Sequence, residues 1–168
     1  MQTYIIKNQK DLNKFKDDYG YKIDGNAEFE YSAIFEGRLL VNGYLSIEAG
    51  WSIEAGGSIE AGRFIEAGGS IKAGGSIKAG DNYGISAGLS ITCKGKLKFG
   101  LKAFAGICTW KEISEEEKTI TCGKFEGGVI EYGVLIETGL PEEKMITLSN
   151  GKKVSESTII EALKGLIK

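Results

Sequence analysis

Histidine is absent from this chain of 168 residues. That removes imidazole from any mechanism, so a Ser-His-Asp set, a Cys-His set and a His-ligated metal are excluded. Cysteine is scarce, with three residues at Cys93, Cys108 and Cys122. An odd number with no C-x-x-C fits buried small hydrophobes in a reducing compartment better than a disulfide scaffold or a zinc site. A large net charge is absent too. Lys plus Arg is 21 and Asp plus Glu is 23, which excludes a strongly basic coat for nucleic acid. No apolar run approaches the ~18 residues of a membrane span. The segment MQTYIIKNQKDLNKF lacks the apolar core of a signal peptide, so a cytoplasmic location and no membrane partner are expected.

What is abundant is glycine, 25 residues against a single proline. Much of it falls in one pattern starting at Ile47: IEAGWS, IEAGGS, IEAGRF, IEAGGS, IKAGGS, IKAG. Ile recurs at 47, 53, 59, 65, 71 and 77, Ala two places later and Gly next, without a slip. Six is not a helical period, and each Gly would cost ~1 kcal/mol in a helix interior. As a strand, S-I-E-A places Ile and Ala on one face and Ser and Glu or Lys on the other. The glycines then make the corner, expected to do so through positive φ.

Three such sides close a triangular coil of about 18 residues. The predicted fold is mainly β: a short three-sided parallel β-helix with an N-terminal helical cap and a small C-terminal α+β region. Stepping back in sixes from Ile47 gives Val41, Phe35, Phe29 and Ile23. Forward, Asp81-Asn82 adds two residues at a corner, and the pattern resumes at Ile85, Ile91 and Leu97. The repeat region is thus expected over 23–107, as a prism ~20–25 Å long at the usual strand spacing. On such a coil, Glu54 meets Lys72, Glu60 meets Lys78, and Glu48 meets Glu66. Residues 1–22 are expected as a cap: a strand at 3–6, then a helix from an Asn8 N-cap to about Tyr19. Residues 108–168 are expected as strands at 118–122 and 128–137, a hairpin turning at Asn150-Gly151, and a helix from Ser155.

The hexads, followed by ISAGLSITCKGKLKFGLKAFAGICTW, resemble Gly-rich repeat proteins encoded by bacterial phages and prophages. The closing ITLSNGKKVSESTIIEAL resembles a short module common in phage-encoded proteins. The first resemblance covers about residues 40–110 and brings no catalytic residues. Small phage proteins of this size include anti-CRISPR inhibitors. The resemblance therefore implies a non-enzymatic inhibitor in the host cytoplasm, whose partner is a host protein such as a CRISPR nuclease or its RNA complex. Hexapeptide-repeat acyltransferases share only the period, and they need a His base.

The departures from the repeat supply the candidate site. Trp51, Arg63, Phe64 and Tyr83 stand where neighbouring repeats have Gly or Ser. Parity points Phe64 outward, and exposed Trp, Tyr, Phe and Arg are favoured interface anchors. Glu48 and Glu66 are expected to flank them. Residues 81–111 hold five basic and one acidic residue, and 112–143 two basic and nine acidic. The basic run Lys94, Lys96, Lys98 and Lys102 reads as one outward strip, either touching phosphate or paired with the acidic Glu115, Glu116 and Glu117. That acidic cluster could equally enter the basic groove of a nuclease. No catalytic residue, metal ligand or cofactor is expected. The alternative is a structural, self-assembling β-helix in the manner of bactofilins, and a homodimer stays open.

Overall fold

Runs of apolar-polar-apolar residues broken by glycine corners are each long enough for one short strand. The computed structural model describes residues 1–141, 145–147, 152–155 and 159. It opens with β1 (Thr3–Ile6), a helix α1 (Gln9–Asn13), β2 (Lys16–Asp17), β3 (Gly20–Ile23), β4 (Asn26–Phe29) and β5 (Ala33–Phe35). Next come β6 (Arg38–Val41), β7 (Leu45–Ile47), β8 (Ile53–Ala55), β9 (Ile59–Ala61), β10 (Ile65–Ala67), β11 (Ile71–Ala73) and β12 (Ile77–Lys78). These are followed by β13 (Ile85–Ala87), β14 (Ile91–Cys93), β15 (Lys96–Lys98) and β16 (Lys102–Ala105). The last are β17 (Thr119–Cys122), β18 (Lys124–Glu126), β19 (Val129–Tyr132), β20 (Val134–Glu137), β21 (Met145–Thr147) and β22 (Lys153–Ser155).

From β3 to β20 the strands take three walls in rotation. The first wall is β1-β4-β7-β10-β13-β16-β19, the second β5-β8-β11-β14-β17-β20, and the third β2-β3-β6-β9-β12-β15-β18. Neighbours on each wall run parallel, except β2, which is antiparallel to β3. The chain is a three-sided parallel β-solenoid, as the hexads predict.

Lys72 lies beside Glu54 and Lys78 beside Glu60, one uninterrupted coil of three hexads apart. The Lys72 ammonium is 2.9 Å from Glu54. Asp81-Asn82 lengthens its coil as expected, since Ile65 pairs with Ile85 instead of Tyr83, and Ile71 with Ile91 instead of Leu89. A second addition of the same size departs from the expected register. Ile53 pairs with Ala33 instead of Phe35, and Ile65 with Leu45 instead of Ile47. The inward pair of β7 is therefore Leu45 and Ile47, and Ala49 is exposed at the corner. Glu66 consequently stacks on Ser46, and the expected Glu48–Glu66 rung does not exist. A shift of two preserves strand parity, and it gives the interior Leu and Ile instead of Ile and Ala.

The interior is solid. Ile53, Ile59, Ile65, Ile71 and Ile77 are each 0% exposed. A side chain of this size contributes about 1.5–3 kcal/mol when fully buried. The glycines are required for a different reason from the expected one. Of those in the hexads, only Gly50 has positive φ, at +84°. At Gly74 and Gly88 a Cβ would stand 2.1 and 1.9 Å from the carbonyl oxygens of Gly56 and Gly68 in the coil below. At these stacked corners the coils approach too closely for a side chain, whereas at Gly50 and Gly56 no atom of a neighbouring coil would lie nearer than 3.4 Å to a Cβ. The hexad serines also sit at corners. Ser52 Oγ accepts from the Ser70 N–H at 2.8 Å, and Ser58 Oγ from the Ser76 N–H at 3.0 Å. They satisfy backbone groups between coils.

The sheets run past both ends of 23–107. At the N-terminus β1 joins the first wall. Asn8 caps α1 as expected, its side chain accepting from the Asp11 N–H. The helix stops at Asn13 instead of Tyr19, because Lys16 and Asp17 turn back to pair with Tyr21 and Gly20. A helical cap of the expected length is therefore not formed, although Leu12 is buried and Phe15 packs edge-on against Tyr4. After β16 the loop 106–118 intervenes, and β17–β20 then continue all three walls. The hairpin forms as β21 and β22, with Met145 opposite Ser155. The expected C-terminal helix lies outside the described residues except for Ser155 and Ile159. Among the described residues no helix is long and apolar enough to cross a membrane.

Candidate functional site

The outward side of the first wall carries more aromatic residues than its repeat consensus would. Phe64 precedes the inward Ile65 and therefore points out. It is stacked on Tyr44 of the previous coil, with centroids 4.9 Å apart and planes 4° from parallel. Tyr44 donates its hydroxyl to the Glu28 carboxylate, and this bond, more than burial, raises its pKa. One coil further on, Gly84 and Ser86 leave the wall bare. Beyond them Phe104 stands outward between the inward Ala103 and Ala105, next to Tyr132. The bare coil is the floor of a groove of about 390 Å³, lined among others by Phe64, Glu66, Ser86, Leu101, Lys102 and Phe104.

The groove extends along the first wall as far as Glu66 and Ser86, beside the corner between the first and second walls. A smaller hollow of about 150 Å³ there shares Glu66 and Ser86 and is closed by Ala49, Gly88, Ile107 and Trp110. The Lys111 ammonium lies 5.7 Å from the centre of the Trp110 ring. The loop 106–118 is anchored on the same corner by Gly106 and Cys108 N–H groups donating to the Leu89 and Gly88 carbonyls.

Phe64 and Glu66 line the groove, Glu66 from β10 and Phe64 immediately before it. Arg63 and Tyr83 stand at the corner leading into the first wall. The Tyr83 carbonyl accepts from Gly100 and Leu101 at 3.1 and 3.0 Å. Trp51, 44% exposed, stands with Glu48 at the corner leading out of that wall. Glu115, Glu116 and Glu117 lie in the loop on the same side, Glu116–Lys118 forming a 3-10 turn. Glu117 is held by Lys111 and by the Ser114 N–H, chiefly the former, which lowers its pKa. Glu115 pairs with Lys118 at 2.6 Å. Glu116 is held by its own N–H and by Ser114, chiefly the former, which lowers its pKa, so all three carboxylates are occupied within the loop.

The expected lysine strip is not one strip. Lys96 and Lys98 face out on the third wall, Lys102 lies on the first, and Lys94 stands at a corner. Alternation fixes which face of a strand a residue takes but not which strand it belongs to, and a corner separates Lys98 from Lys102. Nor do these lysines reach the Glu115–Glu117 cluster. Lys96 pairs with Glu126 at 2.9 Å, Lys98 with Asp81 at 3.9 Å and Lys102 with Glu131 at 2.8 Å.

Tyr44, Phe104, Trp110 and Tyr132 are site residues that sequence reasoning misses. The signal for Phe104 is present, since K-A-F-A-G has the alternation that places Phe64 outward. Tyr132 is hidden by a register shift between Ala103 and Phe104 against β19. Compared with known proteins, the chain matches no family model, no curated protein and no solved structure.

Proposed function

We propose that this chain is a non-enzymatic β-solenoid binding protein whose first wall receives a protein partner. The observation that carries this reading is the set of outward aromatic residues, Tyr44, Phe64, Phe104 and Tyr132, gathered on one wall around a groove. Outward rings add little to a core already filled by Ile and Ala, and aromatic residues are enriched at interfaces. Trp51, Arg63 and Tyr83 extend the same surface at its two corners. The finer form, an inhibitor of a host defence machine such as a CRISPR nuclease or its RNA complex, draws on the phage-like hexads alone. The test is capture by the tagged full chain from bacterial host lysate, with and without nuclease treatment. A protein retained in stoichiometric amount after nuclease, and lost with Phe64→Ala, is the expected result. Capture that disappears with nuclease, or is unchanged in Phe64→Ala and Phe104→Ala, would overturn it.

A second reading, a self-assembling structural solenoid, is favoured by the last coil. Its inward residues Phe125, Ile130 and Leu135 are only half-buried, and among the described residues β18, β19 and β20 end their sheets. Unpaired strand edges recruit other chains. A mass that grows with concentration in sedimentation would favour assembly, and a fixed small species favours the binder.

A further inference from the structure

The groove on the first wall has the form of a missing rung. One outward row along that wall is Tyr44, Phe64, Gly84 and Lys102, as the neighbouring pairs Leu45–Ile65, Ile65–Ile85 and Ile85–Ala103 require. Tyr44 and Phe64 stack at 4.9 Å, the spacing of the strands themselves. At Gly84 the row has no side chain, and a Cβ there would meet the Lys102 carbonyl oxygen at 2.2 Å. The chain therefore cannot fill this position with its own residue, yet the face of Phe64 turned away from Tyr44 borders the opening. The second row, Ser46, Glu66, Ser86 and Phe104, runs beside it.

Charge narrows the occupant. Lys102 is neutralised by Glu131 at 2.8 Å. Glu66 is exposed, and no ion pair to it is found among the described residues. The groove thus combines an aromatic face with one unpaired carboxylate, which repels phosphate and attracts a cation.

Resting on the binding reading above, we propose that the groove takes an aromatic side chain of the protein partner. Its ring stacks on Phe64 over Gly84, and a basic residue beside it pairs with Glu66. A volume of about 390 Å³ falls in the usual range for ligand pockets. Offset or stacked aromatic pairs are favourable beyond the area they bury.

The probe is N-acetyl-Trp-Arg-amide, titrated into the full chain and followed by NMR. The expected result is saturable shifts at Gly84, Ser86 and the Phe64 ring, with several-fold weaker binding of N-acetyl-Trp-Glu-amide. Glu66→Gln, a surface change, should remove that preference and keep the ring site. Ser86→Trp should fill the groove from its floor and abolish the shifts, with circular dichroism verifying the fold. Absence of saturable shifts, shifts scattered over all walls, or tighter binding of adenosine monophosphate at the same residues would overturn the proposal. If the probe fails while lysate capture still depends on Phe64, the ring site is wrong and the binding reading stands. If the probe binds but capture survives Ser86→Trp, the partner does not use the groove and the proposal fails.

Discussion

A methyl group added at Gly88 would lie 1.9 Å from the Gly68 carbonyl oxygen, whereas one added at Gly56 would meet nothing nearer than the Glu36 Cα at 3.4 Å. The two glycines occupy comparable corners of the repeat and should respond oppositely. Gly88→Ala is expected to cost about 1–3 kcal/mol through overpacking. Gly56→Ala should be neutral or stabilise by a few tenths of a kcal/mol, because it restricts the unfolded chain. Urea unfolding of both variants checks this, and equal losses would mean that something other than coil contact selects glycine. The cysteines offer a second residue-scale test. Burial, and then the neighbouring Cys122, pushes the Cys93 thiol up to about 11, and burial also raises Cys122. Both thiols ionise more readily in the unfolded chain. The Cys93 contribution is intact below the ordinary value of 9.0 and is lost as pH rises from there toward about 11, and that of Cys122 is likewise lost above 9.0. Melting temperature should fall over that interval, less steeply in Cys93→Ala. Iodoacetamide at pH 8 should label Cys108 first and reach Cys93 and Cys122 only on unfolding, as mass spectrometry would show.

At the scale of elements, the ladders select register more than they supply stability. The Glu54–Lys72 pair is about half exposed on each side, so its worth is about 0.2–1 kcal/mol. Glu54→Lys should lose about that much and the exchanged pair Glu54→Lys with Lys72→Glu should regain it, measured as a double-mutant cycle in urea. This rung was legible in the sequence because between Ile53 and Ile71 nothing interrupts the period of six. The insertion at Asp81-Asn82 was legible because it breaks a run of identical hexads. The equivalent insertion after Ile47 was not, since Leu45-Ser46-Ile47 and Ile47-Glu48-Ala49 satisfy strand alternation equally well. Only the volume that the interior demands separates them. Strands β17–β20 read as a separate region for a similar reason. The step from Ile91 to its partner Ile120 is much longer than a regular coil, and the step from Ile120 to Leu135 is shorter than one, so no constant period connects them. Half of the groove was legible from Phe64, which breaks a tidy hexad. Phe104 lies where the consensus has faded, and nothing marked it as an exception.

The molecule as a whole is a stack in which each coil contacts mainly the coils above and below it. Its walls tolerate coils of different length because the added residues leave at corners, two at Asp81-Asn82 and a longer loop after β16. Stability should therefore be distributed along the axis. Ile65→Ala, at a 0% exposed position in a middle coil, is expected to cost about 2–5 kcal/mol. Leu135→Ala, half-buried in the last coil, should cost less, and thermal melts of the two variants would show the difference.

Ser70 and Ser90 precede Ile71 and Ile91 at equivalent corners, and Ser70 Oγ lies 3.3 Å from Ser90 Oγ. Residues 71–90 are thus one complete circuit, and joining Ser70 directly to Ile91 recreates a junction the chain already uses. The excised circuit contains β13, the bare rung. The shortened protein should keep three continuous walls and lose about 4.8 Å of length. Phe64 would then come to rest against Lys102, and Glu66 against Phe104. The recess is in that sense a matter of phase between bulky and small residues along the axis, and one turn of the coil is the smallest unit by which it can be opened or closed.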